Sequence, residues 1–532
     1  MADALPFILI LSVTLLIYYF SRRSALPKPP GPRGWPILGN IFENPVSHKQ
    51  RKYKEWGDKY GPIVRYNLFT DEIIVLNTRE TATELLEKRS ASSQDRPRQI
   101  MCGELMNWNK AMGLSRAGYQ HRTYRKLVGG VLSPTAVRNL FPVEERAARL
   151  FVHDLLRQCS AASTEKNVDP TKPLQLLRRS VGRNVAGIIF GADFAPEGRT
   201  GQGLTLEEVD QYIYDADVAH AKFGRALVPF AYMVDWMPWL KHVPEWFPFA
   251  GFQRDARLAR EDLEVLTWVP FNKTLERINS GNSQPCYVEF CLDANPNPTP
   301  EELDHIAWTA MSAFTGGTDT TIGTLSTFFL AISLHPEVQK LAQQEIDEVI
   351  GPDRMPSLAD RDRDQLPYVS ALVQECLRSA PAFPYGVSHR AMKDEILDGY
   401  FIAKGSTVIA NLWGILHDES VYQSPHSFEP ERFLPKTGTP TNPNIPGRNE
   451  PGIGSIPWGY GRRLCPGMAM ADSSVWIYVA SVLWAFDISS TDKDLTWQNA
   501  KWNDGAFLFP LPFGTRLVPR RSVSSIVTES EK

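Results

Sequence analysis

The chain has almost no charge bias: 57 lysines and arginines face 60 aspartates and glutamates, a net charge of −3 over 532 residues. Nothing in that balance points to nucleic acid, which selects a concentrated basic excess. Cysteine is scarce. The six present, at positions 102, 159, 286, 291, 376 and 465, include no CxxC pair and no disulfide-like spacing. That usage excludes a secreted disulfide scaffold and fits free thiols in a reducing compartment. The start of the chain lacks the basic n-region of a secretory signal, and no A-x-A cleavage site follows its apolar run. Asn272-Lys273-Thr274 is formally a glycosylation sequon, incidental for a domain that faces the cytosol. Residues 140–295 read as mostly helical and offer little specific chemistry. Their aromatic and proline-rich part, Phe230 to Phe252 with Trp236, Trp239 and Trp246, suits a cavity roof near a membrane or ordinary core packing.

What is present begins with Ala4 to Phe20, an uncharged, mostly apolar run of 17 residues, the short end of what spans a bilayer. Arg22, Arg23 and Lys28 follow it and assign that side to the cytosol. We expect a transmembrane signal anchor over 1–21, a stiff proline- and glycine-rich hinge over 22–36, a catalytic domain over 37–520 and a disordered tail over 521–532. A hydrophobic fraction of 43% supports a substantial core.

The densest stretch is Pro457 to Gly467, Pro-Trp-Gly-Tyr-Gly-Arg-Arg-Leu-Cys-Pro-Gly. Its glycines let backbone approach a flat partner closely. Cys465 sits where a loop feeds a helix, a position expected to lower a thiol's pKa. A lone cysteine is more often a buried structural residue. Trp458-x-x-Gly461-x-Arg463-x-Cys465-x-Gly467 is different, because it resembles the haem-binding signature of the cytochrome P-450 superfamily, with Trp458 where that signature usually has Phe.

Three further motifs follow that family's order. A helix start at Thr299-Pro300-Glu301-Glu302 opens an apolar 3.6-residue pattern that can run to His335. Within it, Gly316-Gly317-Thr318-Asp319-Thr320-Thr321 breaks helix propensity and matches the family's oxygen-binding motif. Glu375 and Arg378 share one face of a helix expected over Leu366 to Ala380, and Arg432 comes later in Phe428-x-Pro430-Glu431-Arg432-Phe433. Such pairs are usually exposed and weak; here they resemble the family's Glu-Arg-Arg triad. His121 and Arg125, four apart, present two donors on one helix face, an ordinary solvated pattern that in this family looks like a propionate clamp.

Other elements are expected as follows: strands at Val64 to Phe69 and Glu72 to Leu76, a helix over Thr78 to Arg89 and an irregular stretch over Ser90 to Gly118. Tyr400 to Ile402 and Thr407 to Ala410 read as a hairpin around Lys404-Gly405-Ser406.

The resemblance implies a mainly α fold with small β-sheets and an N-terminal transmembrane helix. It also implies haem b with Cys465 as axial iron ligand, and His121, Arg125, His389 and Arg463 on the propionates. Asp319 and Thr320 would manage protons, while Phe383 to Val387 and Ala506 to Pro510 would contact substrate. The implied enzyme is a monooxygenase taking O2, a small hydrophobic substrate and NADPH electrons through a partner reductase. The anchor and hinge resemble microsomal members, on the endoplasmic reticulum membrane with the domain cytosolic. The segment Pro244-Glu245-Trp246-Phe247-Pro248 is similar to fungal members that tailor secondary metabolites. A haem-thiolate isomerase or dehydratase, and a haem-binding sensor, are the alternatives.

Overall fold

The helix start at Thr299 forms as its residue types require. The Thr299 hydroxyl accepts from the Glu302 N–H at 3.3 Å, and the Glu302 carboxylate accepts from the Thr299 N–H at 2.8 Å. The computed structural model describes residues 26–162, 169–191, 204–227, 231–438 and 445–520. The expected anchor, the first residues of the hinge and the expected tail lie outside them.

The main helices are α1 (Lys49–Tyr60), α2 (Tyr119–Leu132), α3 (Phe141–Ala162), α4 (Lys172–Phe190), α5 (Leu206–Ala226), α6 (Gly251–Asn279), α7 (Pro300–Leu334), α8 (Pro336–Val349), α9 (Pro367–Ser379) and α10 (Met468–Ala485). The 35-residue α7 is the axle: it packs against α2, α4, α6, α9 and α10. Helix α10 is apolar and long enough to cross a membrane, but 78% of it is buried inside the protein, where it serves as a core helix.

Among the described residues eight short strands complete the fold: β1 (Ile63–Leu68), β2 (Asp71–Leu76), β3 (His389–Arg390), β4 (Glu395–Leu397), β5 (Tyr400–Ile402), β6 (Thr407–Ala410), β7 (Phe486–Ser490) and β8 (Thr515–Pro519). The order in the largest sheet is β1-β2-β6-β3, with β2 and β6 parallel.

The expected hairpin between Tyr400–Ile402 and Thr407–Ala410 does not form. Strand β5 pairs with β4, and β6 leaves for the four-stranded sheet. The hairpin turn is Asp398-Gly399, both at positive φ (49° and 81°), the backbone that a tight two-residue turn demands. Lys404-Gly405-Ser406 is instead a crossover between sheets. It delivers Val408 and Ile409 into the core beside Ile74 and Val75. The segment Thr78 to Arg89 is helical, but its second half, Thr83–Lys88, is wound as a π-helix.

One buried acid sets a pH dependence. Glu144 on α3 is fully buried; one oxygen accepts from Ser474 Oγ of α10 at 2.5 Å, and the other has no partner among the described residues. Burial pushes this carboxyl from 4.5 up to about 8. A folded-state pKa raised this way contributes stability that is complete below the unfolded value. The contribution is lost as pH rises through the window from 4.5 to about 8, at about 1.4 kcal/mol per pH unit. Glu144→Gln, which cannot ionise, should therefore raise the melting temperature at pH 8 and change it little near pH 5. An equal shift at both values would contradict this.

Candidate haem site

The loop before α10 closes on itself. Cys465 N–H donates to Trp458 O at 2.9 Å, Leu464 N–H to Gly461 O at 3.0 Å and Arg463 N–H to Tyr460 O at 3.1 Å. Gly459 and Gly461 have φ of 88° and 56°, and a Cβ on Gly461 would stand 2.4 Å from the Leu86 carbonyl oxygen. Both positions favour glycine for their conformation, and Gly461 needs it for space as well. The expected lowering of the Cys465 pKa is not what prevails. Burial pushes the thiol up, against the Gly467 N–H and the Arg125 charge, which pull it down. The free thiol therefore keeps its proton until a metal cation takes its place.

Beside this loop lies a set of basic side chains without matching acids. Arg463 donates to Gln94 O at 2.7 Å and Ser115 O at 2.8 Å, while its Nη1 is buried without a partner. Arg125 donates to Leu464 O at 2.6 Å. His121 is buried, and His389, also buried, bonds Ser93 O through Nδ1 at 2.9 Å. A fifth member, Arg96, donates to Gly113 O (2.9 Å), Val387 O (2.7 Å) and Ser388 O (2.8 Å). Burial together with the neighbouring arginines brings both histidines down to about 3. Burial likewise lowers Arg463 to about 10. The one nearby carboxylate, Asp95, is held by Arg116 and the Ala117 N–H. The histidines are neutral, but three arginines against one shared carboxylate leave positive charge that calls for an anion. A cavity of about 460 Å3 opens against His121 and Arg125, lined also by Gln94, Gly118 and Arg462.

Helix α7 stays helical through its glycines, so it is not opened there as its composition suggests. A Cβ on Gly317 would touch Val185 of α4 at 3.3 Å, whereas one on Gly316 would meet open space. Thr320 Oγ1 donates to Gly316 O at 2.7 Å. Asp319 is ion-paired to His220 of α5 and to Arg178 of α4, the latter at 3.5 Å. Burial raises its carboxyl, but His220 and Arg178 outweigh burial and hold it below the ordinary range. His220 stacks on Trp108 at 5.7 Å and neighbours Phe507 at 6.1 Å; Phe507 in turn lies 4.7 Å from Phe383. The irregular stretch, the helix α5, the segment after α9 and the C-terminal turn thus meet over one part of α7.

Glu375, Arg378 and Arg432 come together with no exposed side-chain surface. Arg378 Nε lies 2.7 Å and Arg432 Nε 3.0 Å from the same carboxylate oxygen. The Glu429 N–H adds a bond of 2.9 Å to the other oxygen.

This is the geometry of a thiol loop, an anion cradle and a polar step in a central helix, and the family model for cytochrome P450 matches residues 29–514. The chain belongs to the cytochrome P450 family. Three similar proteins are fungal. It is 36% identical to cytochrome P450 monooxygenase 208 of Postia placenta over 97% of this chain and 95% of that one. It is 34% identical to cytochrome P450 monooxygenase claR of Ampulloclitocybe clavipes over 96% and 89% of the two chains. To cytochrome P450 monooxygenase COX2 of Coprinopsis cinerea it is 34% identical over 92% and 89%. As a cytochrome P450 the protein binds haem and is an oxidoreductase of the monooxygenase class. The residues fit that group: the free Arg463 Nη1 and the uncompensated basic set suit two propionates, and Cys465 offers one soft ligand.

Arg96, Arg178 and His220 were not singled out by the sequence. Arg96 lies in the stretch without periodicity, and its role depends on carbonyls 291 and 292 residues away. His220 and Arg178 look like any polar positions on amphipathic helices. Their only signal was an acid on α7 that needed a counter-charge.

Proposed function

We propose that Cys465 is the axial ligand of the haem iron and that Arg96, Arg125, Arg463, His121 and His389 receive the propionates. The observation behind this assignment is the basic set beside the Cys465 loop: Arg96, Arg125 and Arg463, with His121 and His389, have as acid only Asp95, which Arg116 also holds, among the described residues. The haem, when bound, supplies oxygen activation and electron transfer. The protein supplies the rest. Arg125 and the Gly467 N–H stabilise a negative sulfur at Cys465. Thr320 Oγ1, one turn from the open face of Gly316, holds and passes a proton, and Asp319 resupplies it when His220 and Arg178 let it turn. Trp108, Phe223, Phe383 and Phe507 exclude water and favour a small hydrophobic substrate.

The electrons come, on this reading, from NADPH through a cytochrome reductase, at the membrane of the endoplasmic reticulum. Apolar surface supports a membrane setting. Trp239, Trp246, Phe247 and Phe249 are exposed near α6, and Trp35, Ile37, Phe42 and Val46 are exposed in the N-terminal segment. The two patches are tied together: Phe69 N–H donates to Leu38 O, and the Phe69 ring lies 5.0 Å from Trp236. Isolated exposed apolar side chains are ordinary, whereas two linked groups of four favour an apolar surrounding. The fungal relatives support a substrate among fungal metabolites, and secondary-metabolite tailoring is the role we favour.

The experiment is product profiling in a fungal or yeast host that supplies reductase, against a host lacking the chain. Oxygenated products that require both the chain and reductase are expected. Products that form equally without reductase would contradict this reading.

A further inference from the structure

We propose that Glu87 is a positioning residue for the Cys465 loop, holding it so that the sulfur stays at its ligand position. The proposal rests on the reading of Cys465 as the iron ligand.

The loop from Trp458 to Cys465 is closed by its own backbone bonds, but two charged side chains pin that backbone from outside. Arg125 donates to the Leu464 carbonyl at 2.6 Å, and Glu87 Oε2 accepts the Gly461 N–H at 2.5 Å. Gly461 O in turn accepts from Leu464 N–H, so the residue Glu87 holds is one hydrogen bond from the neighbour of Cys465. Without that pin, Gly461, at φ 56°, has the largest freedom to leave its conformation.

Three features direct Glu87 to this task. First, it lies on the π-wound segment Thr83–Lys88, where the wider turn displaces the side chains from their α-helical directions. π-Windings recur at functional sites. Second, the cations next to it are already engaged: Lys88 and Arg89 both pair with Glu84, at 3.0 and 2.7 Å. Glu87 makes no ion pair among the described residues, so its charge is directed to a backbone N–H. Third, the contact is close-packed. A Cβ on Gly461 would meet Leu86 O at 2.4 Å and Ser90 Cβ at 2.5 Å, so loop and π-segment fit only with glycine there. The carboxylate is exposed, so removing it should not disturb folding.

The test uses full-length, haem-loaded protein with Glu87→Ala and Glu87→Gln. Two readouts are taken: hydrogen exchange of the peptide spanning 458–465, and the rate at which the reduced carbon monoxide complex loses its thiolate band on warming. Loss of a charge-assisted hydrogen bond should speed both by about tenfold in Glu87→Ala. Glu87→Gln, whose amide oxygen still accepts, should stay much closer to the parent. Glu87→Ala indistinguishable from the parent in both readouts overturns the proposal. So does Glu87→Gln as fast as Glu87→Ala, which would make the charge and not the bond responsible. A parent that never shows a thiolate band instead refutes the ligand assignment, while the exchange result still reads the role of Glu87.

Discussion

Glu375→Ala is expected to leave little folded, haem-containing protein. The carboxylate is fully buried and faces two equally buried guanidinium groups, at 2.7 and 3.0 Å. Arg378 also donates to Leu416 O and Ser427 O, and Arg432 to Gln423 O and Glu450. Helix α9 is thereby fastened to the segment that leads towards the Cys465 loop. Removing the acid leaves the buried Arg378 without its carboxylate and Arg432 with one partner fewer, Glu450 remaining. Breaking such a pair from one side costs about 3–5 kcal/mol. Domains are stable by about 5–15 kcal/mol in total, so this is a large share. Arg378→Lys should fare little better, because one ammonium cannot reproduce a fork that reaches Glu375, Leu416 O and Ser427 O together. Soluble yield, haem per chain and the melting temperature are the measurements. A Glu375→Ala protein that melts within a few degrees of the parent would show that the triad does not hold this core.

Thr320→Ala should keep haem and substrate binding but separate NADPH consumption from product. The hydroxyl bonds the carbonyl of Gly316 one turn back, where a Cβ would meet open space. A methyl group there can neither order a water nor pass a proton. General acid catalysis by a placed group is worth about 10²–10⁴-fold, so product per NADPH should fall steeply, with reducing equivalents diverted to peroxide or water. Asp319→Asn should slow turnover with little change in substrate affinity. It also weakens the link to His220 and Arg178, so its melting temperature should drop more than that of Thr320→Ala. The assay is product formed per NADPH consumed, with reductase present. Unchanged coupling in Thr320→Ala, or product made from a peroxide substrate without NADPH, would favour a haem-thiolate isomerase instead.

What could be read from the chain alone was whatever is local. Gly459 and Gly461 announced a tight loop, Thr299 to Glu302 a helix start, and Glu375 with Arg378 a shared helix face. The structure gives each of these the expected form. The misses arose where distant segments decide. The partner of Thr407–Ala410 is set by burial of Val408 and Ile409 beside β2, more than 300 residues upstream, although Asp398-Gly399 was a readable hairpin signal. The Cys465 pKa was misjudged because position at a helix start is local, whereas burial of the sulfur is tertiary and prevails. Arg96 and His220 became visible only once their neighbours from elsewhere in the chain were assembled around them.

The ligand assignment is most directly tested by the reduced carbon monoxide spectrum of the parent and of Cys465→Ser. Cys102 and Cys376 are buried at 1% and 0% exposure, and burial raises both thiols well above their ordinary range. The parent should show the red-shifted band of thiolate ligation. Cys465→Ser should lose it completely while retaining some haem through Arg96, Arg125 and Arg463. A mutant that keeps the band would mean that another cysteine holds the iron.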